Sequence, residues 1–134
     1  MSDFPTLTPG LTGEASITVT DDLTAAALGS GSVPVYSTPA LIALLEGAAI
    51  DALKGRLPDG MTTVGVRVDV RHLAATPVGQ TVTARATLRQ VDGRRLVFDV
   101  AAWDPVESVG EGTHERVIVD RARFESRAAA KSAR

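Results

Sequence analysis

The 134-residue sequence predicts an α+β domain in which an antiparallel, five-stranded sheet wraps around one long central helix. Two observations support this. Residues 40–53 are almost entirely apolar and follow a helix-start signal, whereas five other segments alternate apolar and polar residues as half-buried strands do. A helix that is apolar around most of its circumference is buried on most sides, so the sheet must curl around it.

The predicted helix has signals at both ends. Thr38 is a residue type that caps helix N-termini, and Pro39 suits the first helical position. The helix is expected to end near Lys54, with Gly55 as its C-terminal cap. The segment 24–34 before it contains several glycines and a proline, so it is predicted to be a loop.

One strand is predicted before the helix and four after it, the last four forming an antiparallel meander. The predicted strands cover residues 14–20, 62–72, 80–91, 95–103 and 109–120. Asp92-Gly93 is a strong hairpin-turn signal between the third and fourth. One face of each central strand is expected to be apolar: Val64, Val66, Val68 and Val70; Val82, Ala84, Ala86 and Leu88; and Leu96, Phe98, Val100 and Ala102.

Length and composition limit the possible functions. The length fits one domain over residues 13–125, with a loose arm over 1–12 and a flexible tail over 126–134. The chain has two histidines and no cysteine, so a zinc site of the usual kind is improbable. A net charge of −2 gives no electrostatic footprint for nucleic acid.

The expected compartment is the cytoplasm. No apolar run reaches the roughly 20 residues that a membrane-spanning helix needs. The first ten residues, MSDFPTLTPG, lack the basic and apolar regions of a secretory signal. We therefore expect neither a nucleic-acid nor a membrane partner.

Glu46 interrupts the apolar helix. An isolated buried carboxylate is costly unless it is paired, hydrogen-bonded or protonated. Glu46 therefore either reaches water at an edge of the helix or has a chemical role. Apolar surroundings would make it a better base than a solvated glutamate.

Three segments together resemble the fluoroacetyl-CoA thioesterase family of hotdog proteins and related stand-alone acyl-CoA thioesterases. They are YSTPALIALLE at 36–46, RHLAATPVGQTVT at 71–83, and VDGRRLVFDV to GEGTHERVIVD at 91–120. The resemblance covers about residues 14–124. It implies the hotdog fold, hydrolysis of a short-chain acyl-CoA, and a homodimer, or else a tetramer, with active sites at the subunit interface.

The resemblance also implies roles for individual residues. Thr38, Glu46 and His72 match the family's catalytic set. Gly65 matches a glycine that lines the acyl pocket, and Arg116 matches an arginine of the last strand. From the residues alone, Arg116 either pairs with a neighbouring carboxylate or binds a phosphate of the substrate carrier. No metal or redox cofactor is implied.

One departure concerns the segment before the helix. The fluoroacetyl-specific enzyme has phenylalanines there that cover the acyl group, whereas this chain has LGSGSVPVYS at 28–37. Tyr36 is its only aromatic residue and is expected at the substrate. We therefore expect weak discrimination between acetyl-CoA and fluoroacetyl-CoA.

The residue types suit thioester hydrolysis. Glu46 can act as a base on water or attack directly, His72 can orient it or protonate the leaving group, and Thr38 lies where a helix N-terminus favours an oxyanion. Eight helical residues span about 12 Å, too far for Thr38 and Glu46 to share a hydrogen bond on one straight helix. Either the chain folds back before Pro39, or two subunits contribute to the site, which we favour.

Two other functions stay open. The chain could bind acyl-CoA without turning it over, or act as an enoyl-CoA hydratase, although the Asp/His motif of that chemistry is missing and His72 has only Asp69 nearby. His114 is expected to be structural or at an interface. Candidates for binding the phosphates of coenzyme A are Arg71, Arg94 and Arg95.

Overall fold

The computed structural model describes residues 3–133 and contains the predicted long helix and five strands. In chain order the elements are β1 (Thr12–Thr18), α1 (Ala25–Leu28), α2 (Thr38–Ala52), β2 (Met61–His72), β3 (Thr81–Asp92), β4 (Arg95–Trp103), β5 (Ser108–Asp120) and α3 (Arg121–Ala129). Short 3-10 turns cover Asp21–Leu23 and Ala130–Ala133. The segment predicted as a loop before the long helix contains the four-residue helix α1.

The strands form one antiparallel sheet with the order β1-β3-β4-β5-β2, curled over α2. The predicted four-stranded meander is wrong, because only β3, β4 and β5 are sequential neighbours. Residues 12–18 of β1 pair with 81–87 of β3 and occupy the edge where a meander would place β2. β2 pairs with β5 instead, and its other side is a free edge of the sheet.

The turn between β3 and β4 is one residue later than predicted. Asp92 pairs with Arg95, so Gly93 and Arg94 form the two-residue loop. The apolar faces predicted for these two strands are confirmed: Val82, Ala84, Ala86 and Leu88 are buried, as are Leu96, Phe98, Val100 and Ala102.

β2 departs from its predicted alternation because of a β-bulge. Gly65 pairs with Arg116 and Arg67 pairs with Glu115, so Val66 is the extra residue. A bulge reverses which side chains face the core. Val64 and Val68 therefore lie on opposite faces of the sheet, and the prediction that all four valines share one face is wrong. Gly65 and Val68 share the face that carries Arg116 and His114, towards α2.

The N-terminus of α2 is capped by Ser37, not by Thr38 as predicted. The Ser37 hydroxyl accepts a hydrogen bond from the Ala40 N–H at 3.2 Å, and Thr38 is the first helical residue. The helix ends at Ala52, just before the predicted end. Because Ser37 does the capping, the Thr38 hydroxyl is left for another partner.

One face of α2 packs against the sheet. Leu41, Leu45, Ala48, Ala49 and Ala52 are buried, and full burial of a leucine contributes roughly 2 kcal/mol. At Gly13 of β1 a Cβ would overlap the Ala52 backbone, so this glycine lets strand and helix approach closely.

The opposite face of α2 is not covered by the part of the chain that the structure describes. Ala43 is exposed, and Ile50 is 53% exposed. The prediction that the helix is buried on most sides is therefore not met within a single chain.

The segment before β1 packs against the domain. Phe4 and Leu7 are buried in the core, and the Gly10 N–H donates to the Leu88 carbonyl at 2.8 Å. Residues 3–11 therefore contact the core of the domain. The predicted tail forms the end of α3 and a 3-10 turn on the surface; its flexibility, like that of the arm, stays a prediction.

None of the helices within residues 3–133 combines the length and apolarity that crossing a membrane requires.

Candidate active site

The hydroxyl of Thr38 and the ring of His72 form a hydrogen-bonded pair. Thr38 Oγ1 lies 2.8 Å from His72 Nδ1. Thr38 begins α2, and His72 is the last residue of β2. These two members of the matched set therefore contact each other within one chain.

His72 is partly enclosed. Burial of the ring lowers its pKa below the ordinary value of about 6.5, with a backbone hydrogen bond at Ala74 acting in the opposite direction. The Tyr36 ring meets it edge-on, with ring centroids 6.4 Å apart. Nε2 is buried and has no hydrogen-bond partner among residues 3–133. Neutral at pH 7, this imidazole can donate or accept one proton.

The turn after His72 is braced by Asp104. The Thr76 hydroxyl donates to Asp104 Oδ2 at 2.9 Å, and the Thr76 carbonyl accepts from the Tyr36 N–H at 2.8 Å. Hydrogen bonds from the N–H groups of Val106 and Glu107 hold the pKa of Asp104 below its usual range. This brace ties the turn to the segment that leads into Thr38.

Glu46 has a cationic partner. Its Oε2 accepts a hydrogen bond from Arg116 Nη1 at 3.2 Å and lies 3.8 Å from His114 Nε2. The carboxylate side chain is 36% exposed, and its other oxygen, Oε1, accepts no hydrogen bond from residues 3–133. The expectation of purely apolar surroundings is wrong. Arg116 and His114 form a polar cluster around the carboxylate of Glu46, which projects from the middle of an apolar helix.

Arg116 is committed to this cluster. It is 5% exposed, and besides Glu46 its guanidinium donates to Thr63 Oγ1 at 2.8 Å, to the Thr63 carbonyl at 3.0 Å and to His114 Nε2 at 3.1 Å. Desolvation lowers the pKa of Arg116, and the nearby Glu46 charge acts in the opposite direction. The sequence left two alternatives for Arg116, pairing with a carboxylate or binding a phosphate of the substrate carrier. This geometry corresponds to the first.

Gly65 lies directly against the Glu46 carboxylate. A Cβ at this position would be 2.6 Å from Glu46 Oε2 and 3.2 Å from His114 Cε1. The bulge next to Gly65 and the close approach to Glu46 occur together. The glycine makes room for Glu46 itself.

The site residues form two groups at separate places on α2. Within residues 3–133 no hydrogen bond or ion pair joins Glu46 to Thr38 or His72. Thr38 is the first residue of α2, so the chain does not fold back before Glu46. About 12 Å of helix separates the two positions.

A pocket of about 360 Å³ adjoins the first group. Its walls include Thr38, His72, Tyr36, Val33 and Ala74. Tyr36 is 1% exposed, and its hydroxyl donates to the Ala40 carbonyl at 3.0 Å. Burial raises the pKa of Tyr36 to about 12. Tyr36 therefore offers ring surface to this pocket rather than a free hydroxyl.

The three arginines suggested for coenzyme A differ in their contacts. Arg95 pairs with Glu115 at 2.7 Å, and Arg94 lies over the Phe4 ring and donates to the Ile118 carbonyl at 3.4 Å. Arg71 is exposed and makes no side-chain hydrogen bond or ion pair with residues 3–133.

Asp69 does not reach His72. The Asp69 carboxylate lies 3.6 Å from Arg67 and is 70% exposed. It is an odd number of strand positions from His72 and faces the other side of the sheet. No group of three or more potential metal ligands occurs within residues 3–133.

Sequence reasoning missed two neighbours of the candidate site residues. Thr63 holds Arg116, and Ser37 takes over helix capping from Thr38. Neither has a sequence signal beyond its residue type. His114, expected to be structural or at an interface, contacts Arg116; its position two residues before Arg116 on a strand could have indicated this, since such residues share a face.

The comparisons with known proteins agree with one another. The model of the family described as fluoroacetyl-CoA-specific thioesterase, FlK, matches residues 19–122. A fluoroacetyl-CoA thioesterase of Streptantibioticus cattleyicolor is 40% identical over 98 residues, which are 73% of this chain and 70% of that protein.

Solved structures show the same likeness. A structure of the fluoroacetyl-CoA thioesterase FlK has a TM-score of 0.87 at 33% identity, covering 93% of this chain and 97% of that one. A hot-dog-like protein from Thermanaerovibrio acidaminovorans has a TM-score of 0.86 at 30% identity, covering 96% of both. Variants of FlK were solved with fluoroacetate and CoA, and with acetyl-CoA.

The predicted hotdog fold and acyl-CoA thioesterase activity are thus confirmed, and the chain belongs to the fluoroacetyl-CoA-specific thioesterase family.

Proposed function

We propose that this thioesterase hydrolyses short-chain acyl-CoA at a site built by two subunits of a homodimer. Thr38 and His72 come from one subunit, and Glu46, with Arg116 and Gly65, comes from the other. The observation that carries the proposal is the separation of the two groups along α2. One chain bonds Thr38 to His72 and Glu46 to Arg116, with no contact between the pairs in residues 3–133.

The free edge of β2 supports the dimer. This 12-residue strand has no neighbour on one side among residues 3–133, and Val66 is 56% exposed. Val68, on the face towards α2, is still 38% exposed. Long apolar edge strands pair readily with another chain. The uncovered face of α2, including Ala43 and Ile50, would be buried by the same partner.

Antiparallel pairing of two β2 strands would also complete the site. Gly65 and His72 are seven residues apart on β2. Both residues lie on the face of β2 towards α2, so a two-fold axis near the middle of the strand would bring His72 of one subunit close to Gly65 of its partner. Glu46 of the partner would then approach the Thr38–His72 pair.

In this site Glu46 acts through Oε1, the oxygen that accepts no hydrogen bond within the described chain. As a base it takes a proton from water, whose oxygen attacks the thioester carbonyl; as a nucleophile it attacks directly and water then cleaves the anhydride. In both routes the C–S bond breaks and the leaving thiolate takes up a proton.

Thr38 and His72 serve the developing oxyanion and the leaving group. Pro39 has no N–H, the Ala40 N–H bonds to Ser37 Oγ, and the Leu41 N–H bonds to the Ser37 carbonyl. When His72 carries its proton on Nε2, its Nδ1 accepts the single Thr38 hydroxyl proton, so the Thr38 N–H is the donor that remains at this helix end, within residues 3–133, for an oxyanion. His72, neutral because burial lowers its pKa, is suited to donate one proton to sulfur.

Two further assignments concern the coenzyme A part of the substrate and the cellular compartment. Arg71, whose side chain makes no hydrogen bond or ion pair with residues 3–133, is the side chain we assign to a phosphate of coenzyme A. The cytoplasm stays our prediction for the compartment, and a tetramer stays the alternative assembly.

The proposal is tested by thiol release from a panel of short acyl-CoA esters. Wild type should turn them over, and Glu46→Gln, which keeps the size but removes the base, should be slower by about a hundredfold or more with its fold intact. The matched control is Glu107→Gln, the same change on an exposed loop residue, which should leave the rate unchanged.

Other outcomes contradict the proposal in distinct ways. Equal activity of wild type and Glu46→Gln would show that Glu46 is an edge residue. If wild type binds acyl-CoA esters but releases no thiol from any, the chain is a binder.

A further inference from the structure

His114 occupies a position in the polar cluster that the catalytic set does not explain. It is 1% exposed, and its Nδ1 lies 2.8 Å from the Arg67 carbonyl oxygen. Its Nε2 lies 3.1 Å from Arg116 Nη1, the same nitrogen that donates to Glu46. Its ring stacks on Phe98, with centroids 6.4 Å apart and planes inclined by 28°.

We propose that His114 is a positioning residue for Glu46, acting through Arg116. Its Nε2 accepts one N–H of Arg116 Nη1, which aims the other N–H of that nitrogen at Glu46 Oε2. This inference rests on the proposed role of Glu46 and adds a residue that the sequence assigned to structure or interface.

The contacts determine the ring's protonation. A carbonyl oxygen only accepts hydrogen bonds, so Nδ1 carries the proton that is donated to Arg67. A guanidinium only donates, so Nε2 must present its lone pair to Arg116. In the other neutral tautomer, the proton on Nε2 would point at an N–H of Arg116. The unprotonated Nδ1 would then point its lone pair at the carbonyl oxygen of Arg67. An imidazolium would keep the first conflict.

The same contacts fix the guanidinium. Arg116 has five N–H groups, and four are used: two towards Thr63, one towards Glu46 and one towards His114. Thr63 holds the Nε and Nη2 side, whereas His114 Nε2 is a second acceptor at Nη1, 3.8 Å from the Glu46 Oε2 that the same nitrogen contacts. Without an acceptor there, this buried Nη1 group is free to tilt away from the carboxylate.

The first test does not depend on activity. The chain has two histidines, so nitrogen-15 NMR of histidine-labelled protein gives two rings, assigned by comparison with His114→Asn. At pH 7 the His114 ring should show a protonated Nδ1 and an unprotonated Nε2. A ring protonated at Nε2, or at both nitrogens, would overturn the proposal whether or not the enzyme is active.

The second test compares two substitutions of His114. Each can keep only one of the two hydrogen bonds that the ring makes. His114→Asn can still donate to Arg67 but cannot reach Arg116; we expect kcat to fall about tenfold with KM within about twofold. His114→Gln can place an amide oxygen near the Nε2 position, and kcat should recover to within about threefold of wild type. If both variants lose the same activity, or neither does, the role is not positioning.

A control separates positioning from stability. Phe98→Leu removes the stacked ring but neither hydrogen bond of His114, so it should lower the melting temperature and leave kcat near wild type. An equal loss of kcat in Phe98→Leu and His114→Asn would overturn the proposal.

Coupling gives the last check. In an Arg116→Gln background, adding His114→Asn should cause no further loss of kcat, because the two residues act in series. Additive losses would contradict the positioning role of His114. They would leave the proposed function standing, because the Glu46→Gln assay tests that separately.

Discussion

A Cβ atom on Gly65 would lie 2.6 Å from Oε2 of Glu46. The Glu46 carboxylate therefore occupies the space that a side chain at position 65 would need. The backbone of β2 forms the wall against which the carboxylate rests, next to Arg116. The position of Glu46 thus depends on the absence of a side chain on a different element.

Gly65→Ala should reduce activity more than stability. The added methyl meets the end of a flexible side chain, so the fold can relax while Glu46 shifts; the free energy of unfolding should change by less than about 1.5 kcal/mol. A displacement of about 1 Å can cost up to a hundredfold in rate, so kcat should fall at least about tenfold. Thiol release and thermal unfolding measure the two effects.

Gly47→Ala is the matched control. A Cβ at Gly47 would meet only the Ala15 Cβ, at an ordinary 3.8 Å. This change in mid-helix should raise stability by up to about 1 kcal/mol and leave the rate unchanged. Equal rates for the Gly65 and Gly47 variants would mean that Gly65 does not set the position of the carboxylate.

Thr38→Val should remove activity without uncapping α2. The cap is Ser37, so losing the Thr38 hydroxyl breaks the contact with His72 and leaves the helix start intact. We expect kcat to fall at least about tenfold with little change in melting temperature. Ser37→Ala should do the reverse, costing about 1 kcal/mol of stability with kcat within a few-fold. A Thr38→Val variant that is unstable but fully active would refute this division.

Acid should weaken the brace at Asp104. Its pKa is lowered in the folded state, so the folded form binds the proton less readily than the unfolded chain, whose value is about 3.9. This contribution to stability is fully present above about pH 5 and is lost as pH falls through the folded pKa. Wild type should therefore exceed Asp104→Asn in melting temperature most at pH 7, with the gap shrinking towards pH 3. A gap that is constant across this range would exclude an ionised Asp104 as the cause.

Selectivity for the fluorinated acyl group should be weak. The pocket beside Thr38 and His72 is lined near its mouth by Ser30 and Val33, with Tyr36 as its one aromatic wall and that hydroxyl already bonded. We expect kcat/KM for fluoroacetyl-CoA and acetyl-CoA to differ by less than about a hundredfold, the order of discrimination that contacts with one small group usually supply. A ratio of several orders of magnitude would contradict this prediction.

The sequence predicted most of the fold because its signals were local. Strict alternation located β3 and β4, and Pro39 located the start of the long helix. The place of β2 in the sheet was not predictable in this way, since pairing with β5 depends on β1 already occupying the edge of β3. The bulge at Val66 likewise reversed a facing pattern that period-two alternation alone cannot reveal.

The candidate site was predicted through its motifs, but its contacts were not. Thr38, Glu46 and His72 came from the resemblance, and the helical spacing correctly indicated that Glu46 could not bond to Thr38 within one chain. The pairing of Glu46 with Arg116 depends on packing between residues 70 positions apart, and no local pattern encodes it.

The shared site is tested most directly by mixing two inactive variants, Thr38→Val and Glu46→Gln, unfolding them together and refolding them. If each site takes Thr38 from one subunit and Glu46 from the other, a mixed dimer has one intact site and one doubly altered site. Random mixing puts half the chains in mixed dimers, so activity should return to about a quarter of wild type. If each site belonged to a single chain, no mixed dimer would contain an intact site, and the mixture would stay as inactive as its components.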